Sequence, residues 1–346
     1  MSTDIILFLL QDAVTNAAIY ALLALALILV FTVTRVIFVP QGEFVSYGAL
    51  TLASMQQGVL PGTAWVLLLL GVLAVAVELV TAVMRREVLR ALPVCLLYIL
   101  YPAAALAALH WLPLKQLPQI LQVLITLAIV LPIGPFLYRV VFEPLANASV
   151  LVLLIAAVAA HLALVGLGLL AFGAEGARTI PLSNITFDLF SIPMTGQSVA
   201  VIAISGLLIV ALFWLFGHTL YGKALRATAV NRTGARLVGI KPELSGRICF
   251  ALAAGIGAIS GILISPITAI YYDSGFLFAL KGFVAAIIGG LTSYPIAAFG
   301  ALAVGIIESF SSFWASSFKE AILFALVIPI LLWRSLTTKA LPDEHE

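Results

Sequence analysis

The chain has 346 residues, of which 63% are hydrophobic and 9% are charged, and its mean hydropathy is +1.21. This balance excludes a soluble globular domain, because the surface of such a domain could not be wetted. A bilayer core of about 30 Å needs about 20 apolar residues per helix, so the length allows roughly ten crossings. The composition therefore predicts an all-α polytopic integral membrane protein, a single transmembrane domain over residues 1–346 with about 10–11 helices, some of them short, broken or re-entrant.

Neither the cysteines nor the amino terminus indicates another class of protein, such as a disulfide-rich or a secreted one. Cys95 and Cys249 both fall inside apolar runs, so no disulfide framework or metal cluster is expected. The amino terminus lacks a basic region and a small-residue cleavage site, so no removable signal peptide is expected. The lipid bilayer is the expected environment, and no nucleic-acid partner is expected.

The first half of the chain alternates long apolar runs with one short one. Long runs at residues 12–34, 63–81, 91–111, 119–138 and 149–171 predict full spans. Between the first two, residues 42–56 form a run whose helix would rise only some 22 Å, too little to cross unaided. A short or broken helix is therefore predicted there. The loop over residues 172–197 has no basic excess and is expected outside.

In the second half, residues 198–217 return to a basic stretch, and residues 248–271 cross again, with Gly255, Gly257, Gly261 and Pro266 expected to interrupt the helix. Residues 281–291 form a second short segment, and residues 297–314 and 320–333 complete the bundle. With the amino terminus outside and eleven crossings, all but four of the 17 Lys and Arg residues fall on the cytoplasmic side. The four exceptions are Lys115, Arg178, Lys281 and Lys319.

The basic stretch, residues 222–247, is the long polar interruption of the apolar second half. Six basic residues face one acid there: Lys223, Arg226, Arg232, Arg236, Lys241 and Arg247 against Glu243. A helix is predicted over residues 224–230, followed by a short one that Asn231 caps and Gly239 ends. Leu225, Ala229, Leu237 and Val238 would then be available to a partner. The alternative is an ordinary juxtamembrane basic loop.

The two short segments, residues 40–56 and 281–291, indicate a translocation path. Broken helices expose backbone polar groups at membrane depth, where they are tolerated only if they line a cavity or are buried in protein. The alternative is that their glycines only permit close helix packing. Among the carboxylates in apolar runs, Glu43 is expected near the cytoplasmic interface, Glu78 is expected to snorkel inward, and Glu308 is the deepest.

No catalytic or metal-binding constellation is found in the sequence. The chain has no G-x-x-x-x-G-K-[ST] motif with which to bind ATP phosphates. Its four histidines lack metal-ligand spacing and are expected to pack or to lie at helix ends: His110, His161, His218 and His345. Neither a catalytic residue nor a metal site is expected.

Several motifs, taken in order, resemble one known family. The segments QGEFVSYGAL, YRVVFEPL, FGAEGARTI, GKALRATAVNRTGARLVGI and LKGFVAAIIGGL are similar to the branched-chain amino-acid permeases of bacterial ABC importers. The resemblance implies an inner-membrane permease that forms a heterodimer with a second related permease. Two cytoplasmic ATPases would use ATP and Mg, a periplasmic binding protein would deliver the amino acid, and this chain would bind no cofactor.

The resemblance also implies roles for individual residues. The ATPase-docking loop would lie within residues 222–247, and its coupling residues are Gly222, Ala224, Leu225, Arg226, Ala227, Asn231, Ala235, Leu237 and Gly239. Gly239 doubles as the helix stop. The substrate path would be lined by Gln41, Gly42, Glu43, Tyr47, Lys281, Gly282, Gly289 and Gly290.

The chain departs from the family pattern in ways that bear on the solute. Gln41 ends a Phe-Val-Pro-Gln segment where the family has N-F-A-H, and the turn after Gly290 differs. Residues 86–138 resemble an inserted, peripheral helical pair. The expected function is transport of branched-chain or other small apolar amino acids, by a chain that is not itself an enzyme. The alternative is an ion-coupled secondary transporter that uses Glu43 or Glu308.

Overall fold

The computed structural model describes residues 3–86, 88–183, 185–189, 192–291 and 293–337. Its α-helices are α1 (Thr3–Thr34), α2 (Gln41–Gln57), α3 (Thr63–Arg85), α4 (Val88–Trp111), α5 (Gln119–Val130), α6 (Ile133–Leu137), α7 (Val150–Phe172), α8 (Gly196–His218), α9 (Leu220–Val230), α10 (Arg232–Leu237), α11 (Pro242–Ile264), α12 (Ser274–Ile288), α13 (Tyr294–Trp314), α14 (Lys319–Ala325) and α15 (Val327–Thr337). A π-helical turn, Tyr138–Phe142, continues α6. Two short antiparallel strands, β1 (Thr186–Leu189) and β2 (Ile192–Thr195), form a hairpin in the loop before α8.

The predicted all-α membrane fold is confirmed. Within the described residues, eight helical units are long and apolar enough to cross a membrane: α1, α3, α4, α5 to the π turn, α7, α8, α11 and α13. With the shorter α2 and α12 and the α14–α15 pair, they account for the predicted 10–11 helices. The protein is a multi-pass membrane protein.

The core of the bundle surrounds α1. From Ile19 to Val30 this helix is buried on all sides, with Ile19, Leu22, Leu23 and Ile28 inaccessible, and it packs on α8, α11, α12 and α13. A helix that is apolar all round belongs inside a bundle. By contrast, α4, α7 and α8 leave most of their apolar side chains exposed, as lipid-facing helices do.

The helical pair of residues 86–138 is only half peripheral. Helix α4 packs mainly on α3, but α5 and α6 pack on α2 and α11. Ile129, Ile133 and Tyr138 are buried, and Gly134 lies directly against the backbone of Phe250. The expectation that the whole pair is peripheral is therefore wrong for its second member, because small and apolar side chains let α6 enter the core. Whether the pair is an insertion stays a prediction.

Prolines account for two helix breaks that the sequence analysis missed. The predicted span over residues 119–138 divides into α5 and α6 at Pro132, and the predicted span over residues 320–333 divides into α14 and α15 near Pro329. Proline lacks the N–H group that the helical hydrogen bond requires. Each span is thus made of two shorter helices.

The boundaries around α11 and α12 also differ from prediction. The predicted span over residues 248–271 ends as a helix at Ile264, and its glycines do not interrupt it. Gly257 and Gly261 instead let α2 approach, since their Cα atoms face Phe44 and the backbone of Val45. These two glycines therefore permit close helix packing rather than a break in the helix. Helix α12 begins at Ser274, seven residues before the predicted start of the second short segment.

Candidate functional site

Both short helices begin inside the bundle, and their first turns meet. Before α2, the chain turns back at Arg35 and returns through the buried residues Val36 and Phe38. Gly42 in the first turn of α2 faces Gly275 in the first turn of α12, and a Cβ on either would come closer to the other backbone than the 3.0 Å that real Cβ atoms keep. We call this contact of Gly42 with Gly275 the glycine seam. Only residues without a side chain allow it.

Ser46 fixes the geometry of the glycine seam. Its hydroxyl accepts a hydrogen bond from the Gly275 N–H (2.9 Å) and donates one to the carbonyl of Tyr271 (3.0 Å). Backbone groups of the non-helical segment before α12 are thus partly satisfied by α2. This is the condition under which irregular backbone is tolerated at membrane depth.

A carboxylate and an imidazole lie beside the seam. The Nδ1 atom of His161, midway along α7, is 2.8 Å from Oε1 of Glu43, whose side chain is only 1% exposed. The ring of His161 lies 4.5 Å from that of Phe276 in the first turn of α12. The pair therefore joins α2, α7 and α12. The expectation that Glu43 lies near the cytoplasmic interface is wrong, because its carboxylate contacts the middle of α7, a helix long enough to cross the membrane.

His161 is the functional candidate that the sequence analysis missed. It was expected to pack or to lie at a helix end, yet it occupies the middle of α7 and contacts Glu43. The sequence did contain a signal that could have identified it, because His161 is the one ionisable residue among the 23 of this helix. An ionisable side chain within a transmembrane helix usually has a function.

The other predicted path residues on α2 hold that helix in place. Gln41 donates from Nε2 to the carbonyl of Ala253 on α11 (3.0 Å), and its Oε1 has no partner among the described residues. The hydroxyl of Tyr47 donates to the carbonyl of Leu164 on α7 (2.7 Å). Gln41, Gly42, Glu43 and Tyr47 are thus brought together, and their contact with a solute stays a prediction.

Lys281 belongs to a second polar cluster. Its ammonium lies 2.5 Å from Oε1 of Glu308 on α13 and 3.2 Å from Glu320 on α14, and the hydroxyl of Tyr20 on α1 donates to the other oxygen of Glu308. The side chain is directed toward α1, α13 and α14. Its role in a substrate path stays a prediction.

The remaining path candidates on α12 and after it are packing and turn positions. Gly282 lies against Leu23 of α1, Gly289 lies against Ala297, and Gly290 has a φ of +68° in the turn that follows α12. Such a φ favours glycine. These three residues are separate from the group on α2, and no finding tests their role in a path.

An apolar cleft of about 400 Å³ lies near the Glu43–His161 pair, although neither residue is part of its lining. It lies between α7, the return segment before α2, and α12. Its lining is Leu27, Ile37, Phe38, Val39, Leu154, Val158, Phe276, Ala279, Leu280 and Phe283. Phe276 touches the ring of His161, and Val158 lies one helical turn before His161. The cleft has the size and the apolar lining of a site for a small apolar group.

The basic stretch folds as two short helices whose ends follow from local signals. The Oδ1 atom of Asn231 accepts a hydrogen bond from the Gly234 N–H (2.8 Å), which caps α10 as predicted. At the other end Gly239 has a φ of +86°, and the N–H of Ile240 donates to the carbonyl of Ala235 (3.0 Å). This is a Schellman ending. Helix α9 begins at Leu220, four residues before its predicted start, because Thr219 caps it.

The two helices present one face to the bundle and another to solvent. Leu225 is 1% exposed and packs with Leu29, Val33 and Cys249, and Ala229 packs against the same cluster. The expectation that Leu225 and Ala229 are available to a partner is therefore wrong, because the helix phase turns them inward. Leu237 and Val238 are 84% and 74% exposed, as predicted.

The other predicted coupling residues divide in the same way. Gly222 and Ala235 are buried against the chain itself, Ala224 and Ala227 are half-buried, and Arg226 is exposed. Gly222 lies directly against the backbone of Leu215, at the end of α8. Gly222 and Ala235 thus hold α9 and α10 on the bundle, whereas Arg226 remains accessible to another molecule.

Ionic contacts tie the basic stretch to the loop after the π turn. The guanidinium of Arg232 donates to a backbone carbonyl of that loop (2.9 Å), and Arg247 lies 3.0 Å from Glu143. Glu143 also pairs with Arg139 (2.5 Å), which in turn reaches Glu78 on α3 (2.7 Å). The basic stretch, the π turn and α3 therefore share one charged network, within which Glu78 has a partner.

Comparison with known proteins identifies relatives of this architecture. A family described as "Branched-chain amino acid transport system / permease component" matches residues 98–331, more than half of the chain. The permease LivH of the high-affinity branched-chain amino acid transport system of Escherichia coli K12 is 29% identical over 204 residues, which are 56% of this chain and 65% of LivH. The chain thus spans just under two thirds of the length of this relative.

Two further relatives cover different shares of the chain. The permease BraD of the Pseudomonas aeruginosa branched-chain system is 26% identical over 245 residues, 68% of this chain and 80% of BraD. The autoinducer 2 import permease LsrC of Yersinia pseudotuberculosis is 31% identical over 131 residues, 37% of this chain and 36% of LsrC. No solved structure matches the chain significantly.

Proposed function

The chain belongs to the family of branched-chain amino acid transport permease components, and we propose that it is the membrane subunit of an ATP-driven importer. Its solute would be a branched-chain or other small apolar amino acid, carried inward across the inner membrane of a bacterium. Relatives named for branched-chain transport support this solute class, and the apolar lining of the cleft beside α7 agrees with it.

The observation that carries the proposal is the outward face of the basic stretch. Leu237 and Val238 are large apolar side chains left exposed at the end of α10, and Arg226 and Arg236 are exposed nearby. Exposed apolar residues rimmed by charge are typical of a protein interaction site. A helix pair held on the bundle from within and apolar on its outer face is suited to insertion into a partner such as an ATPase.

The remaining partners follow from the same proposal. The chain would pair with a second related permease, two cytoplasmic ATPases would bind and hydrolyse ATP with Mg, and a periplasmic protein would deliver the amino acid. The chain itself would bind no cofactor and catalyse no reaction. Its work is to carry the solute and to transmit the movement of the ATPases.

The ion-coupled alternative finds no support. It required Glu43 or Glu308 to be free to exchange an ion. Glu308 instead pairs with Lys281 and Tyr20, and Glu43 pairs with His161. The family match and the relatives named for branched-chain amino acid transport support the importer instead.

Co-purification tests the importer itself. The tagged chain is extracted from its native membrane in mild detergent, and the accompanying proteins are identified by mass spectrometry. We expect two ATPases and a sibling permease. A chain that is recovered alone and transports in ATP-free vesicles would overturn the proposal.

A point substitution tests the docking assignment separately. In Leu237→Asp a charge replaces an exposed apolar contact, so we expect normal amounts of protein in the membrane but loss of ATPase binding and uptake. Leu237→Met, which keeps the apolar contact, is expected to behave as the parent. Val59→Asp, at an exposed apolar position in the turn after α2, is the control for the added charge. Full uptake by Leu237→Asp would refute the docking role.

A further inference from the structure

Glu43 has one carboxylate oxygen in use and one without a partner. Oε1 contacts His161, but Oε2 is buried with no hydrogen-bond partner among the described residues. A buried acceptor that is left unpaired is costly, and more so when it carries charge. Such an atom in the interior of a transport protein is suited to a partner that is present only part of the time.

The surroundings of this oxygen limit what that partner can be. Glu43 is fixed by its place in the first turn of α2 and by His161, so it offers a positioned acceptor. A carboxylate oxygen accepts hydrogen bonds, and a primary ammonium group offers three donors. The neighbouring cleft is lined by apolar side chains, among them Val158 and Phe276. A ligand with a cationic head and a small apolar tail matches both features.

We propose that Glu43 binds the ammonium group of the transported amino acid and that the cleft between α7 and α12 accepts its apolar side chain. His161 is a positioning residue that holds the Glu43 carboxylate through Nδ1 and bounds the cleft beside Phe276. This inference rests on the proposed function and adds to it a recognition point within the permease. In this structure the glycine seam and the contact of His161 with Phe276 hold α2 and α7 against α12, so the site is closed.

The test is uptake of radiolabelled leucine and alanine by cells that express the complete importer with its binding protein. Each variant is expressed as a rate relative to the parent for the same solute. Because the same binding protein delivers both, its own selectivity cancels from this ratio. Membrane abundance and ATP hydrolysis stimulated by the loaded binding protein show whether each variant is folded and assembled.

Removing the charge of Glu43 should slow uptake of both solutes. Glu43→Gln is expected to reduce both rates about tenfold or more, because a charge-assisted hydrogen bond is lost. Glu175→Gln, an exposed carboxylate of the outer loop, is the matched control and should leave both rates unchanged. Glu43→Gln with rates equal to those of this control would overturn the inference.

Filling the cleft should discriminate between side chains. Val158→Phe places a larger side chain in the cleft, so leucine uptake should fall several-fold more than alanine uptake. A role of Val158 in packing alone would slow both solutes to the same extent. Equal ratios for leucine and alanine would therefore overturn the assignment of the cleft.

The positioning role of His161 predicts which replacement is tolerated. His161→Asn keeps a donor near the Nδ1 position and should retain most of the uptake, whereas His161→Leu keeps apolar bulk without a donor and should lose it. If His161 only fills space, the order reverses. The unmodified importer distinguishes failure of the proposed function from failure of the proposed site. If the unmodified complex transports neither amino acid, the proposed function is refuted rather than this site.

Discussion

The glycine seam makes a sharp prediction about Gly275→Ala. A Cβ at this position would lie closer to the carbonyl of Gly42 than the 3.0 Å that real Cβ atoms keep, and it would also crowd the hydroxyl of Ser46. Both neighbours are held, since Gly42 is in the first turn of a buried helix and Ser46 bonds to two backbone groups. The added methyl group must therefore push the first turns of α2 and α12 apart by about 1 Å.

The size of the effect follows from two opposing terms. Overpacking of a well-packed core costs about 1–3 kcal/mol, whereas replacing glycine by alanine in a helix gains about 0.5–1 kcal/mol. Gly275→Ala should therefore destabilise the protein by up to about 2.5 kcal/mol, and by about 1 kcal/mol at the middle of both ranges. Gly206→Ala on α8 is the control, because no atom lies within 4 Å of its Cβ position and only the favourable term applies.

The assay is thermal unfolding of the purified variants in one mild detergent, followed by uptake in cells. We expect the melting temperature of Gly275→Ala to fall below that of the parent and that of Gly206→Ala to equal or exceed it. Uptake by Gly275→Ala should fall as well, since the seam lies beside Glu43. If the two alanine variants melt together and transport alike, the two helix starts are not in the contact described.

Three other experiments test separate parts of the structure. Asn231→Ala removes the cap of α10 and should cost about 1 kcal/mol locally, so hydrogen exchange of the α10 amides should quicken while the global melting temperature holds; unchanged exchange would contradict the cap. Lys281→Met leaves Glu308 buried without its counter-charge, a loss of about 3–5 kcal/mol, and adding Glu308→Gln should restore part of it; a double variant as unstable as the single one would argue against the pair. Leu225→Ala should destabilise by about 2–5 kcal/mol and Leu237→Ala by less than 0.5 kcal/mol, which unfolding in denaturant can rank, and the reverse order would mean that α9 is turned the other way.

Features that depend on neighbours in sequence were the ones that the sequence predicted well. Long apolar runs placed α7, α8 and α13 to within a few residues, because lipid demands a continuous apolar helix of sufficient length. Asn231 and Gly239 predicted both ends of α10, because a cap and a left-handed stop act within four residues of the helix end. The membrane class and the helix ends of the basic stretch could therefore be predicted from the sequence, whereas its docking role stays a prediction.

Features that depend on distant residues could not be predicted. The start of α12 was placed at Lys281, because the apolar residues from Ser274 onward continue the preceding run and only the tertiary contact with Gly42 marks the beginning of a new helix. The partner of Glu43 lies 118 residues away on α7. Which face of α9 is buried depends on the cluster that receives Leu225. None of these contacts leaves a local pattern.

The two short helices are each held by one buried ionisable side chain whose partner lies on a longer helix. Glu43 joins α2 to α7 through His161, and Lys281 joins α12 to α13 through Glu308. Separating either pair would leave buried polar groups without a partner, which costs free energy. The glycine seam, by contrast, is largely a van der Waals contact, beside which Ser46 accepts a hydrogen bond from Gly275 and donates one to the carbonyl of Tyr271.

The glycine seam is therefore weaker than the Glu43–His161 and Lys281–Glu308 contacts. We expect α2 to move together with α7, and α12 to move together with α13. The apolar cleft lies between α7 and α12, on the boundary between these two units. A separation there would widen the cleft and uncover the free oxygen of Glu43 without breaking either buried pair. The Glu43–His161 and Lys281–Glu308 pairs thus lie on opposite sides of the glycine seam. The bundle can open at the seam without separating either pair.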